Sequence, residues 1–110
     1  MTDLEREIRA ARNESLFRSL NERLDLVRQS DSEEERSDYF CECALPGCAN
    51  MVTLSPREYE HVRMAGDRFL VMPEHVARDI EKVLEEHSTY WIVEKLGAGS
   101  LVAEALDPRT

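Results

Sequence analysis

The sequence predicts an α+β protein: a long N-terminal helix followed by a small, mostly antiparallel sheet with two helices, stapled by a cysteine knuckle. Three observations carry this expectation. Behind the capping box Thr2-Asp3-Leu4-Glu5, neither Gly nor Pro occurs as far as Gln29. Short β-branched and aromatic runs alternate with turn residues through the second half of the chain. All three cysteines lie within Phe40-Cys41-Glu42-Cys43-Ala44-Leu45-Pro46-Gly47-Cys48, a C-x-C-x4-C arrangement.

The N-terminal helix is expected over 1–29 and, at 1.5 Å per residue, spans roughly 40 Å. That exceeds the width of a domain this small, so part of it should project or pack on another chain. Leu4, Ile8 and Ala11 share one face, whereas Phe17, Leu20, Leu24 and Val27 gather on nearly the opposite one. The helix therefore breaks near Arg12-Asn13 or offers its halves to different partners. The second half runs 3-4-3 from Phe17 through Leu20, Leu24 and Val27, the spacing of a short coiled coil and equally of an amphipathic helix packed on its own domain. Residues 30–38 carry Asp31, Glu33, Glu34, Glu35 and Asp38 with no apolar residue, and read as a solvated acidic linker.

The domain proper is placed at 39–110. Met51-Val52-Thr53-Leu54 reads as a strand hairpinned with Tyr39-Phe40-Cys41. Ser55-Pro56-Arg57-Glu58 has Ser at N-cap, Pro at N1 and Glu at N3, so a short helix follows, with Gly66 as its stop. Arg68 to Met72 is a strand ended by Pro73. Val76, Ile80, Val83 and Leu84 have helical spacing, which predicts a helix running out at Glu86-His87. Tyr90-Trp91-Ile92-Val93 is strand-like, and after the turn residues Leu96 to Ser100 a last strand is expected over 101–106. The expected order is β-β-α-β-α-β-β.

Charge and composition narrow the function. The formal net charge is -9 and the pI about 4.8, so the long-range field repels nucleic acid and anionic membrane, and no Lys/Arg-rich recognition helix is visible. No apolar run approaches the ~20 residues that span a bilayer, and the acidic N-terminus is unlike a secretory signal. A cytoplasmic location follows as the expectation. In that reducing compartment clustered cysteines point to metal ligands or redox thiols rather than a disulfide.

Cys41 and Cys43 lie two apart on an extended segment and leave the same face, and Pro46-Gly47 supplies the turn that returns Cys48 beside them. Three thiolates select zinc, or iron in a cluster, over oxygen-seeking cations. Of three candidate histidines for a fourth ligand, His75 follows directly on a strand in a Pro-Glu-His turn. His61 lies inside a predicted helix and His87 at a helix end, so His75 ranks first.

At these residues the chain resembles a group of small actinobacterial proteins without an assigned activity. The shared pattern appears here as Arg12-Asn13-Glu14-Ser15-Leu16-Phe17-Arg18, Phe40-Cys41-Glu42-Cys43 with Cys48, Ser55-Pro56-Arg57-Glu58-Tyr59, and Phe69-Leu70-Val71-Met72-Pro73-Glu74-His75. The resemblance covers most of 12–95 and implies that Cys41, Cys43, Cys48 and His75 belong together. A second resemblance, to iron-sulfur proteins whose C-x-C precedes a Cys-Asp-Gly-Ser-His motif, departs where Cys48 is followed by Ala49-Asn50. That departure removes the histidine ligand and disfavours a cluster.

The sequence thus points to a non-enzymatic protein with a structural zinc ion in a Cys3His site, which binds a protein partner or itself through Phe17, Leu20, Leu24 and Val27. A thiol-based redox sensor is the alternative. A metal-dependent hydrolase ranks last, since it needs an open metal position and Glu42 or Glu74 as base.

Overall fold

The computed structural model of the chain describes residues 2–45 and 47–109, with Ser30 as backbone only. Helix α1 (Asp3–Asp31) is followed by β1 (Ser37–Phe40), β2 (Met51–Leu54), α2 (Pro56–Val62), β3 (Arg68–Val71), β4 (Glu81–Glu86), β5 (Trp91–Lys95) and α3 (Gly97–Ala105). β1 and β2 form an antiparallel hairpin, and β3-β5-β4 a three-stranded antiparallel sheet. The architecture is α+β.

Strands β3 and β5 are buried on both faces, which is why Phe69-Leu70-Val71 and Tyr90 to Val93 are continuous apolar runs, whereas the edge strand β4 is buried only in part. On one face Leu70 and Ile92 meet Tyr39, Val52 and Leu54 of the hairpin and Tyr59 and Val62 of α2. On the other, Phe69, Val71, Trp91 and Val93 meet Cys41, Cys43 and Ala103. The cysteine segment therefore belongs to the core. Helix α2 starts with the expected capping box, in which Ser55 and Glu58 bond each other's backbone N–H. It stops at Val62, three residues short of the turn that holds Gly66.

Helix α1 is continuous, and its contacts run from Arg6, paired with Asp79, to Gln29, which bonds Glu60. Its 29 residues span about 44 Å at 1.5 Å each, matching the 44 Å long axis of the molecule. The break expected near Arg12-Asn13 does not occur. The face turned inward is polar: Glu14, Ser15, Arg18, Asn21 and Asp25 are buried beside Ala11. The Glu14 carboxylate meets the Lys95 ammonium at 2.7 Å, and Lys95 also lies 3.5 Å from Glu81. Arg18 donates to the carbonyls of Gly66 (2.6 Å) and Ala103 (2.7 Å), with its guanidinium 4.6 Å from the centre of the Phe69 ring. Asn21 pairs with both the N–H and the carbonyl of Phe40, and Glu22 binds Arg63 and Arg109. Tyr39 donates to Asp25 at 2.9 Å.

The stripe Phe17, Leu20, Leu24 and Val27 is correspondingly displaced outward. Phe17 and Leu24 are half-buried, Phe17 tilted against Phe40 at 5.9 Å, while Leu20 is 43% and Val27 65% exposed. A helical wheel drawn on hydropathy alone puts the wrong face inside, because here the buried partners are backbone carbonyls and opposite charges.

Two further elements differ from the expectation. Residues 81–86 form a strand instead of a helix. A bulge between Val83 and Glu85 leaves Val83 and Leu84 both half-buried, which imitates helical spacing and hides the period of two. Residues 97–105 form a helix in place of the last strand. Gly99 and Ala103, one turn apart, let α3 lie close on α1: a Cβ at Gly99 would stand 3.6 Å from the Glu7 carbonyl and 3.0 Å from the Lys95 side chain.

The inward face of α1 makes a measurable contrast. Arg18→Ala removes the donor to the buried Ala103 carbonyl and the half-buried Gly66 carbonyl and should lower unfolding stability by about 3 kcal/mol or more. Leu20→Ala, on the outer side, should cost less than about 1 kcal/mol. Urea denaturation of both variants checks the order.

Candidate metal centre

Cys41, Cys43, Cys48 and His75 come together in space from three separate segments. Their ligand atoms all lie within 4.8 Å of one another, with Cys41 and Cys43 buried and Cys48 and His75 half-buried. The His75 Nδ1 is 3.7 Å from the Cys41 sulfur and 3.6 Å from that of Cys48. A tetrahedron with the sulfur and nitrogen distances usual for zinc has S···N edges of about 3.6 Å. The four residues could hold one metal ion of that kind.

Two turns deliver the outer ligands, and they share one form. The Cys48 N–H donates to the Leu45 carbonyl at 3.2 Å, with Gly47 at φ 76° between them. Pro46 of the expected Pro-Gly turn lies outside the described residues. The His75 N–H donates to the Met72 carbonyl at 3.0 Å across Pro73 and Glu74, whose φ is 74°. In the His75 turn, proline second and a left-handed residue third is the type II pattern, and in both turns the fourth residue is a ligand. Glu74 adopts a conformation that suits glycine, at a cost on the order of 1 kcal/mol.

Two of the three sulfurs receive an N–H: Met72 N–H reaches Cys41 at 3.2 Å, and Asn50 Nδ2 reaches Cys48 at 3.4 Å. Such donors favour thiolate over thiol. Within the C-x-C pair, a hydrogen bond from Cys41 pulls the Cys43 thiol down to about 5, while that bond and burial push the Cys41 thiol up.

Glu42, between the two cysteines, points the other way and has no solvent exposure. Its Oε1 accepts from the Leu70 N–H at 2.9 Å. Its Oε2 accepts from Asn21 at 2.8 Å and from the Tyr59 hydroxyl at 2.7 Å. Burial pushes its pKa up, and the bonds from Asn21, Leu70 and Tyr59 pull it back. The Glu42 N–H also donates to the Leu70 carbonyl at 2.6 Å, so knuckle and β3 are joined at two points. Sequence reasoning treated Glu42 only as a possible base. The signal that could have found its structural role is the alternation itself, which sends the residue between two inward cysteines to the opposite side.

The other histidines lie elsewhere. His61 is 2.6 Å from one oxygen of Glu85 and His87 2.8 Å from the other, an exposed group between α2 and the end of β4.

Metal and fold should be coupled. Chelator should lower the melting temperature, Cys43→Ser should do the same, and unchanged curves in both would show that the cysteines are not structural. Gly47→Ala should cost about 1 kcal/mol although nothing crowds its Cβ, because the penalty is conformational. Chemical denaturation of the metal-loaded protein measures it.

Among the described residues no helix is long and apolar enough to cross a membrane. No family model, curated protein or solved structure matches the chain, so any functional reading rests on the geometry above.

Proposed function

We propose that the Cys3His group holds a single zinc ion in a structural role, and that the protein is a cytoplasmic, non-enzymatic module that binds a protein partner or a second copy through the outer side of α1. The observation that carries the zinc reading is the convergence of four ligand atoms within 4.8 Å, with an N–H on the Cys41 and Cys48 sulfurs. Four protein ligands close a tetrahedron and leave no position for substrate. The short S···N separations suit one ion, whereas cluster ligands divide between two or more irons. Both Glu42 oxygens are occupied inside the core, which supports a non-catalytic role for that carboxylate.

The interaction reading rests on Leu20 and Val27, exposed on a helix that is anchored through its other face. Elemental analysis with an absorption spectrum tests the metal: one zinc per chain and no colour is expected, and a brown protein overturns zinc. Leu20→Glu tests the surface. It should abolish association in light scattering or partner capture while melting temperature and metal content stay unchanged. Loss of metal or fold in that variant would place the stripe in the core and end the interaction reading.

A further inference from the structure

The outward side of α1 has a charge pattern that the composition of the protein conceals. Between residues 9 and 27 the acidic side chains are Glu14, Glu22 and Asp25, and all three are engaged with inward partners: Lys95, the Arg63–Arg109 pair and Tyr39. The outward charges over the same span are Arg9, Arg12 and Arg23, all exposed and none with an ion-pair partner among the described residues. A chain of net charge -9 therefore presents, over this span, a helix face whose only exposed charges are basic, set among Leu16, Leu20 and the uncharged Asn13 and Ser19. Leu16 and Leu20 lie about 160° round from the buried Arg18 and form the middle of that face. Leu16 is 68% exposed. Beside it, Arg12, Leu16 and the 46% exposed Leu106 of the segment after α3 line an apolar groove of about 370 Å3 whose remaining wall is Ser15 and Ser19.

We infer that this face, with the groove between α1 and Leu106, docks an acidic amphipathic helix: its leucine-like side chains cover Leu16 and Leu20 and enter the groove, and its flanking carboxylates meet Arg9, Arg12 and Arg23. The inference rests on the interaction reading above and names the chemistry of the partner. Two features favour a helix over an anionic membrane. The groove is a concave slot, suited to individual side chains projecting from a helix, whereas a bilayer offers a flat surface. The -9 charge of the molecule opposes approach to an extended anionic surface, but a single peptide reaches the local arginines within a Debye length of about 8 Å. A second copy of the chain is disfavoured by charge, since α1 would set Arg9, Arg12 and Arg23 against a helix face bearing the same arginines.

The test uses the full metal-loaded chain and two labelled helical peptides with leucines at heptad spacing, one flanked by Glu and one by Lys, followed by fluorescence anisotropy. The Glu peptide should bind about tenfold or more tightly than the Lys peptide, the preference fading as salt is raised. The double variant Arg12→Glu/Arg23→Glu should invert the preference without changing the melting temperature. Equal binding of both peptides that is lost in Leu20→Glu would overturn the charge assignment and leave the interaction reading standing. Binding of neither peptide, or binding of phosphatidylserine vesicles or duplex DNA in preference to the Glu peptide, would overturn the proposed partner. Binding that survives Leu20→Glu unchanged would count against the interaction surface itself.

Discussion

A carboxylate without solvent contact is costly unless each oxygen is bonded, and Glu42 meets that requirement only through three different elements. Asn21 comes from α1, Tyr59 from α2 and the Leu70 N–H from β3. None of these partners is near Glu42 in sequence, so the knuckle adopts its orientation only when helix, helix and strand are assembled. Glu42 is anchored on one side of the tripeptide while the sulfurs of Cys41 and Cys43 meet His75 and Cys48 on the other. The Pro-Gly-Cys and Pro-Glu-His turns then complete the group. The candidate metal group and the core packing are in this way two faces of one tripeptide.

The same logic runs along α1. A small domain has little apolar area to bury, and here the long helix is held by Glu14–Lys95, Arg18 on two carbonyls, Asn21 on Phe40 and Glu22 between two arginines. Buried polar pairs add modest net stability, but each mispaired register leaves a charge uncompensated. Their strength is therefore in fixing the position of the helix rather than in the depth of the folding minimum. The consequence for the surface is direct: once the inner face is polar, Leu16 and Leu20 are left on the outside, beside Arg9, Arg12 and Arg23, which have no ion-pair partner among the described residues.

Local chemistry was readable where it is local. The Ser55-Pro56-Arg57-Glu58 cap, the hairpin strands, the two β-rich core strands and the grouping of Cys41, Cys43 and Cys48 follow from residues within a few positions of one another, and the Pro-Glu-His turn marked out His75, although it meets the cysteines from 27 to 34 residues away. What the sequence concealed depends on distant partners. Leu84 sits in a bulge that exists because β4 pairs with β5, and without that pairing its neighbours look helical. The 97–105 segment is a helix tied to α1 through the Ala103 carbonyl, which accepts from Arg18 far away in the sequence. The inward side of α1 could not be chosen from hydropathy, since its reward comes from carbonyls at Gly66 and Ala103 that no pattern within the helix encodes.

Replacing Glu42 by glutamine tests the central dependence most directly. The amide keeps size and shape but puts an NH2 against the donors of Asn21, Tyr59 or Leu70, so one buried donor must go unpaired. With the chain loaded with zinc, competition against a chelator should show the Glu42→Gln affinity weakened about 10- to 100-fold, although no ligand has been changed. A variant that binds zinc as tightly as the wild type and melts at the same temperature would contradict the account.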